Sequence, residues 1–258
     1  HELRDVLRIT RPRVSLHAEA PGAAILRRAA SAPVVQIGGG AASRMPPTDI
    51  AIEGVVIQLG SLAEPRKGDD ALLMVMPGAA RVRIAGCRFG VQDVAGALAG
   101  IRVAGAAVAI ESCIVETLRM GILAEDAASD LMVRDCVISA RLLAAAGRDL
   151  GDVLAQDDPG LAGIAVLLCD GSVRIVGNTV LGFRHGIVLG DPASERPGVE
   201  SPDAVIAHNV VVRGVPQAEA ALTPEPAPAP APTPSPTPAP APTPRPVRPS
   251  PTPIVGGV

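Results

Sequence analysis

The chain has 258 residues and a formal net charge of −3, with 48% apolar residues but only 1% aromatic ones. That length holds one substantial domain and a tail, and the near-neutral charge lacks the basic footprint of a nucleic-acid binder. With two Phe, no Tyr and no Trp, Val, Ile, Leu and Ala must fill the interior, which suits a narrow core of stacked short side chains.

In chain order, residues 6–10 and 14–19 are predicted strands joined by Arg11-Pro12-Arg13. Pro21-Gly22 turns the chain into Ala24-Ile25-Leu26, and residues 33–37 form a further strand. Together these are expected to make one first coil of a repeat, with residues 38–47 as an exposed loop. Gly38-Gly39-Gly40 has neither the Lys nor the spacing of a phosphate loop and is a turn. The chain starts at His1 without an initiating Met or a signal peptide, so it is expected to be a fragment or processed form that lacks its N-terminal cap.

Six segments then align without gaps: residues 49–58 (DIAIEGVVIQ), 81–90 (RVRIAGCRFG), 107–116 (AVAIESCIVE), 130–139 (DLMVRDCVIS), 172–181 (SVRIVGNTVL) and 203–212 (DAVIAHNVVV). Their second position is Ile50, Val82, Val108, Leu131, Val173 and Ala204; their fourth is Ile52, Ile84, Ile110, Val133, Ile175 and Ile206. This period of two marks a strand with one buried face, and each buried Val or Ile contributes roughly 1.5–3 kcal/mol. Position seven is Val55, Cys87, Cys113, Cys136, Asn178 and Asn209, in steps of 32, 26, 23, 42 and 31 residues. Periods in this range signal stacked units. A Gly-Ile motif recurs at Gly100-Ile101, Gly121-Ile122, Gly163-Ile164 and Gly186-Ile187, so each unit consists of three short strands and three corners.

Between the units, residues 61–70 form a polar loop and residues 71–76 return as a strand. Residues 141–156 (RLLAAAGRDLGDVLAQ) place leucines near helical spacing and are expected to fold as one inserted short helix. That helix would cover an outward apolar stripe such as Leu123, Ala165 and Val188. Residues 191–203 form another loop. From residue 223 the chain alternates Pro with Ala, Thr or Ser; it cannot make a core, and should be an extended spacer of about 3.1 Å per residue. The expected domains are residues 1–221, a Pro/Ala/Thr-rich linker over 222–253, and the start of a further strand at 254–258.

The order strand, Asn or Cys corner, strand, Gly-Ile strand resembles the right-handed parallel β-helix of the pectate-lyase-like superfamily, over about residues 8–215. The resemblance implies an all-β solenoid and a secreted or cell-surface protein whose partner is a polysaccharide or another surface molecule. It carries over no catalytic residue. The Asn-Thr-Asp, Asp-Asp, Gly-His-Gly and Arg-Ile-Lys blocks of the polygalacturonase type are missing, as is the Asp-Pro-His block of alginate epimerases.

The cysteines lack Cys-x-x-Cys spacing and a neighbouring His, so they are not a zinc set; Cys87, Cys113 and Cys136 should be a buried, free-thiol stack. No cofactor, metal site, nucleic-acid partner or transmembrane segment is expected: no run reaches about eighteen apolar residues. The leading function is a scaffold that binds or displays. The alternative is a polysaccharide lyase or hydrolase whose candidate catalytic residues are Asp157, Asp158, His185 and Asp191, with Ca²⁺ as a cofactor only under that reading. Positions three and five, which face outward, bring no two carboxylates together, and Glu111 beside Arg134 is an expected ion pair.

Overall fold

A strand with branched side chains on one side only must cover that side, and this chain covers it by winding. The computed structural model describes residues 1–28, 33–39, 46–59, 71–91, 99–117, 120–125, 128–140, 162–167, 169–190 and 203–212. In it the strands form a parallel β-helix of three sheets. The first coil is β1 (Glu2–Leu3), β2 (Leu7–Ile9) and β3 (Ser15–His17); the second is β4 (Ile25–Arg28), β5 (Val35–Ile37) and β6 (Thr48–Glu53). The third holds β7 (Val56–Leu59), β8 (Ala71–Val75) and β9 (Ala80–Ala85), and the fourth β10 (Arg88–Val91), β11 (Ala99–Val103) and β12 (Ala106–Glu111). The fifth holds β13 (Ile114–Thr117), β14 (Met120–Ala124) and β15 (Ser129–Arg134), and the sixth β16 (Val137–Ala140), β17 (Ala162–Val166) and β18 (Asp170–Val176). The seventh is β19 (Thr179–Leu181), β20 (His185–Leu189) and β21 (Asp203–Ala207), and β22 (Val210–Val212) opens the next turn. Every third strand pairs in parallel: β1 to β22 form sheet 1, β2 to β20 sheet 2 and β3 to β21 sheet 3. Among the described residues there is no helix.

The six-segment alignment is the register of the molecule. Ile50, Val82, Val108, Leu131, Val173 and Ala204 are successive partners in sheet 3, and so are the residues of position four. All of position four from Ile52 to Ile175 is fully buried, whereas Ile206, in the last strand of that sheet, is 46% exposed. The Gly-Ile motifs start the sheet 2 strands, where Ile101, Ile122, Ile164 and Ile187 stack. A Cβ on Gly121 would strike Ile138 and the Gly163 carbonyl, and one on Gly163 would strike Val180. These glycines let sheet 2 approach sheet 1 closely rather than form a turn.

Position six, just before the seventh-position column, is left-handed at the end of every coil from the second onward: Gly54, Gly86, Ser112, Asp135, Gly177 and His208 all have φ between 52° and 71°. This single residue bends the chain from sheet 3 into sheet 1. Position one bends it likewise into sheet 3, with Asp49, Arg81, Ala107 and Asp130 at φ between 52° and 59°.

Behind the position-six bend lies a continuous interior ladder. Asn178 Nδ2 donates to the Val133 carbonyl (3.0 Å), and Asn178 Oδ1 accepts from the Cys136 backbone N–H (3.0 Å). Asn209 repeats both contacts one coil on, with the Ile175 carbonyl (2.8 Å) and the Asn178 N–H (2.9 Å). The thiols follow the same geometry. Cys87, Cys113 and Cys136 point at the carbonyls of Ile52 (3.4 Å), Ile84 (3.6 Å) and Ile110 (3.7 Å), and the Cys113 N–H reaches the Cys136 sulfur at 3.5 Å. All three are free thiols and buried, and Cys169 is buried too. Hydrogen bonding to the sulfurs above and below, together with burial, pushes the Cys113 thiol far above its ordinary range, so it stays protonated.

One expectation is corrected. Glu2–Leu3 is also a strand, and the strands up to Ile37 span one full coil and two thirds of the next rather than one coil; the short N-terminal strands, split by Pro and Gly, hide the period. His185, one of the candidate catalytic residues, begins β20. The expected helix at 141–156, the loops at 61–70 and 191–202, and the proposed boundaries at 221, 222–253 and 254–258 lie outside the described residues.

Candidate functional site

Of the four candidate catalytic residues, Asp157, Asp158 and Asp191 lie outside the described residues. His185 is exposed, paired with Ala162 in sheet 2, and among the described residues it joins no cluster of three or more His, Cys, Asp or Glu side chains. In the outer row of that sheet, which begins with Arg8, Gln36, Met74 and Arg102, Leu123 and Ala165 are buried, 3% and 4% exposed.

Chemistry-bearing side chains concentrate instead on the outer face of sheet 3. The strands place positions three and five outward in two rows. Position three runs Ser15, Ala51, Arg83, Ala109, Met132, Arg174 and Val205, and position five His17, Glu53, Ala85, Glu111, Arg134, Val176 and Ala207. Ala85 stands between Glu53 and Glu111 in the second row. Its small side chain leaves room for Arg83, two residues earlier on β9, to reach across and bridge both carboxylates.

Arg83 Nη1 pairs with Glu53, while Arg83 Nε donates to Glu111 Oε2 at 3.0 Å. Glu111 Oε1 lies 2.9 Å from Arg134 Nε, and Glu53 Oε2 lies 3.1 Å from His17 Nδ1. The result is one chain of polar contacts across five coils, His17, Glu53, Arg83, Glu111, Arg134, alternating in charge from Glu53 onward. Only Glu111 is buried, its side chain 9% exposed; both its arginine partners remain half exposed. The pairing of Glu111 with Arg134 was legible in the sequence. The double bridge by Arg83 was missed, although the signal was there: an Arg in one row, Glu in the next row on both neighbouring coils, and Ala between them.

Smaller pairs flank this face. Arg81 grips Asp49 through two bonds, 2.6 and 2.9 Å long. Those bonds hold the Asp49 carboxyl down at about 2 and raise Arg81 above its ordinary value. On sheet 1, Arg88 pairs with Glu116 at 2.9 Å and Arg27 donates to Gln58 at 3.0 Å. Chemically, the sheet 3 face offers charge and hydrogen bonds on a rigid lattice. Its two carboxylates are separated by an arginine, so neither stands ready as a free acid or base toward the other.

No family model matches the chain, and no curated protein matches it. Among solved structures it is similar to the crystal structure of the Dettilon tailspike protein (gp208), with a TM-score of 0.51 and 15% sequence identity over 81% of this chain and 42% of that one. The chain therefore spans less than half of the tailspike's length. The likeness is one of fold, and it agrees with the parallel β-helix.

Proposed function

We propose that the chain is a scaffold of the pectate-lyase-like superfamily, secreted or held at a cell surface, which binds or displays against a polysaccharide or another surface partner. On this reading residues 222–253 are its spacer. The observation that carries it is the outer face of sheet 3. Stacked strands repeat about every 4.8 Å, so a polymer laid along the coil axis meets the same two rows at each turn, already fixed by the backbone ladder. Such preorganised donors and acceptors bind without first being ordered. The tailspike likeness supports a solenoid of this kind at the level of fold. Because both Phe residues, Phe89 and Phe183, are buried, sugar rings find no aromatic platform, and recognition here is polar and electrostatic.

The test is a panel of surface polysaccharides, with binding and chain cleavage measured together, with and without Ca²⁺. The proposal expects retention of one class of polymer and no change in its length. Cleavage that disappears in Asp157→Ala/Asp158→Ala would replace the scaffold with an enzyme.

A further inference from the structure

The alternating chain on sheet 3 stops short of completion, and the place where it stops is specific. Arg83 is neutralised by the position-five residues of its two neighbouring strands, Glu53 on β6 and Glu111 on β12. Arg174 occupies the same row as Arg83, on β18. The equivalent neighbours of Arg174 are Arg134 on β15 and Ala207 on β21. The lattice thus reads, along the axis, Glu53, Arg83, Glu111, Arg134, and then a second cation with no anion between the two.

Arg174 is exposed, and among the described residues it makes no hydrogen bond or ion pair. Glu111 is already held by Arg83 and Arg134. Among the described residues, the other carboxylates nearby sit at the bends rather than in the two rows. Asp130 accepts from Ser172 Oγ (3.0 Å) and its backbone N–H (3.2 Å), Asp135 occupies the left-handed corner after Arg134, and Asp203 heads β21. None of them pairs with Arg174. Around the two arginines the face is otherwise apolar or small: Met132, Val176, Val205 and Ala207.

We propose that Arg134 and Arg174 form an anion subsite, in which a carboxylate or sulfate group carried by the bound polymer takes the position the ladder leaves open. The assignment rests on the scaffold reading and deepens it by naming the ligand's charge. A guanidinium offers a planar fork that matches either oxyanion. Arg134 keeps one edge on Glu111, which fixes its orientation, while Arg174 comes from the adjacent coil. The apolar neighbours lower competition from water without supplying a rival charge.

The experiment measures binding of the full chain to dextran sulfate, polygalacturonate and neutral dextran, each at low and high salt, with inorganic sulfate as a competitor. Both anionic polymers should bind, neutral dextran should not, and salt should weaken binding. Arg174→Gln should lose about tenfold in affinity, as expected for a charged hydrogen bond, while Arg174→Lys keeps part of it. Arg174→Glu should abolish binding while raising the thermal midpoint, because it completes the alternation with Arg134. Arg8→Gln, which removes an exposed charge from sheet 2, should bind like the unaltered chain. Equal weakening by Arg8→Gln and Arg174→Gln, or no effect of Arg174→Gln, would overturn the subsite. Neutral dextran binding as tightly as the anionic polymers would overturn the subsite and leave the scaffold standing. Failure of every polymer, in this set and in the wider panel, would remove the scaffold reading itself.

Discussion

Two ladders run along this molecule, one inside the position-six corner and one on the outer face of sheet 3, and the same coil rise builds both. The inner ladder, from Cys87 to Asn209, satisfies buried backbone groups with side chains that have no water to turn to. The outer one, from His17 to Arg134, joins polar and charged groups that are mostly half exposed. An unmade hydrogen bond inside leaves a desolvated group alone, whereas a broken pair outside is replaced by water. The first ladder therefore holds the coil together, and the second is free to vary and to bind.

The inner ladder should give the largest loss. Asn178→Ala removes the donor to Val133 and the acceptor for Cys136 at once, and also the Nδ2 contact to Asn209 Oδ1 at 3.0 Å. We expect a destabilisation of about 3 kcal/mol, read from denaturant unfolding; a loss no larger than that of a surface substitution would break the contrast. Next comes Gly121→Ala, where the added methyl meets Ile138 and the Gly163 carbonyl. Overpacking there should cost about 2 kcal/mol, and a neutral result would mean that sheets 1 and 2 can part without penalty.

On the outer face the effects shrink. Glu111→Gln keeps the shape and removes the charge shared by Arg83 and Arg134. Because both arginines stay hydrated, the change in stability should be under about 1 kcal/mol. A loss comparable to that of Asn178→Ala would show that the outer ladder carries the fold after all. Asp49 gives the smallest effect and a pH signature. Its carboxyl is lowered from 3.8 to about 2 by the Arg81 hydrogen bonds, so the folded state prefers the ionised form. The associated stability is fully present above the unfolded value near 3.8 and is lost as pH falls through about 2. Carboxyl NMR should find Asp49 titrating near 2, and Arg81→Gln should return it toward its ordinary value.

What the sequence revealed follows the same division. Position four and position seven were legible because burial forces like residues to recur at one register, and the register in turn gave the coil. The left-handed corners fall on glycine at Gly54, Gly86 and Gly177 but on Ser112, Asp135 and His208 elsewhere, so no single residue type marks them along the sequence. The first two coils were merged because their strands are two to four residues long, apart from β6, and carry few apolar positions. The outer face was least legible. Arg83 joins Glu53 and Glu111 only once neighbouring coils are laid side by side, and Arg174 is distinguished by what its neighbours lack. The candidate carboxylates Asp157, Asp158 and Asp191, by contrast, lie outside the described residues.

The most direct test of the division between the two ladders is a paired measurement on Arg134→Gln/Arg174→Gln: thermal unfolding and binding to an anionic polysaccharide on the same preparation. The account predicts that binding is lost while Tm stays within about 4 °C of the unaltered chain, the shift expected for up to about 1 kcal/mol in a domain of this size. Binding that persists at full strength, or a Tm that falls as far as in Asn178→Ala, would contradict it.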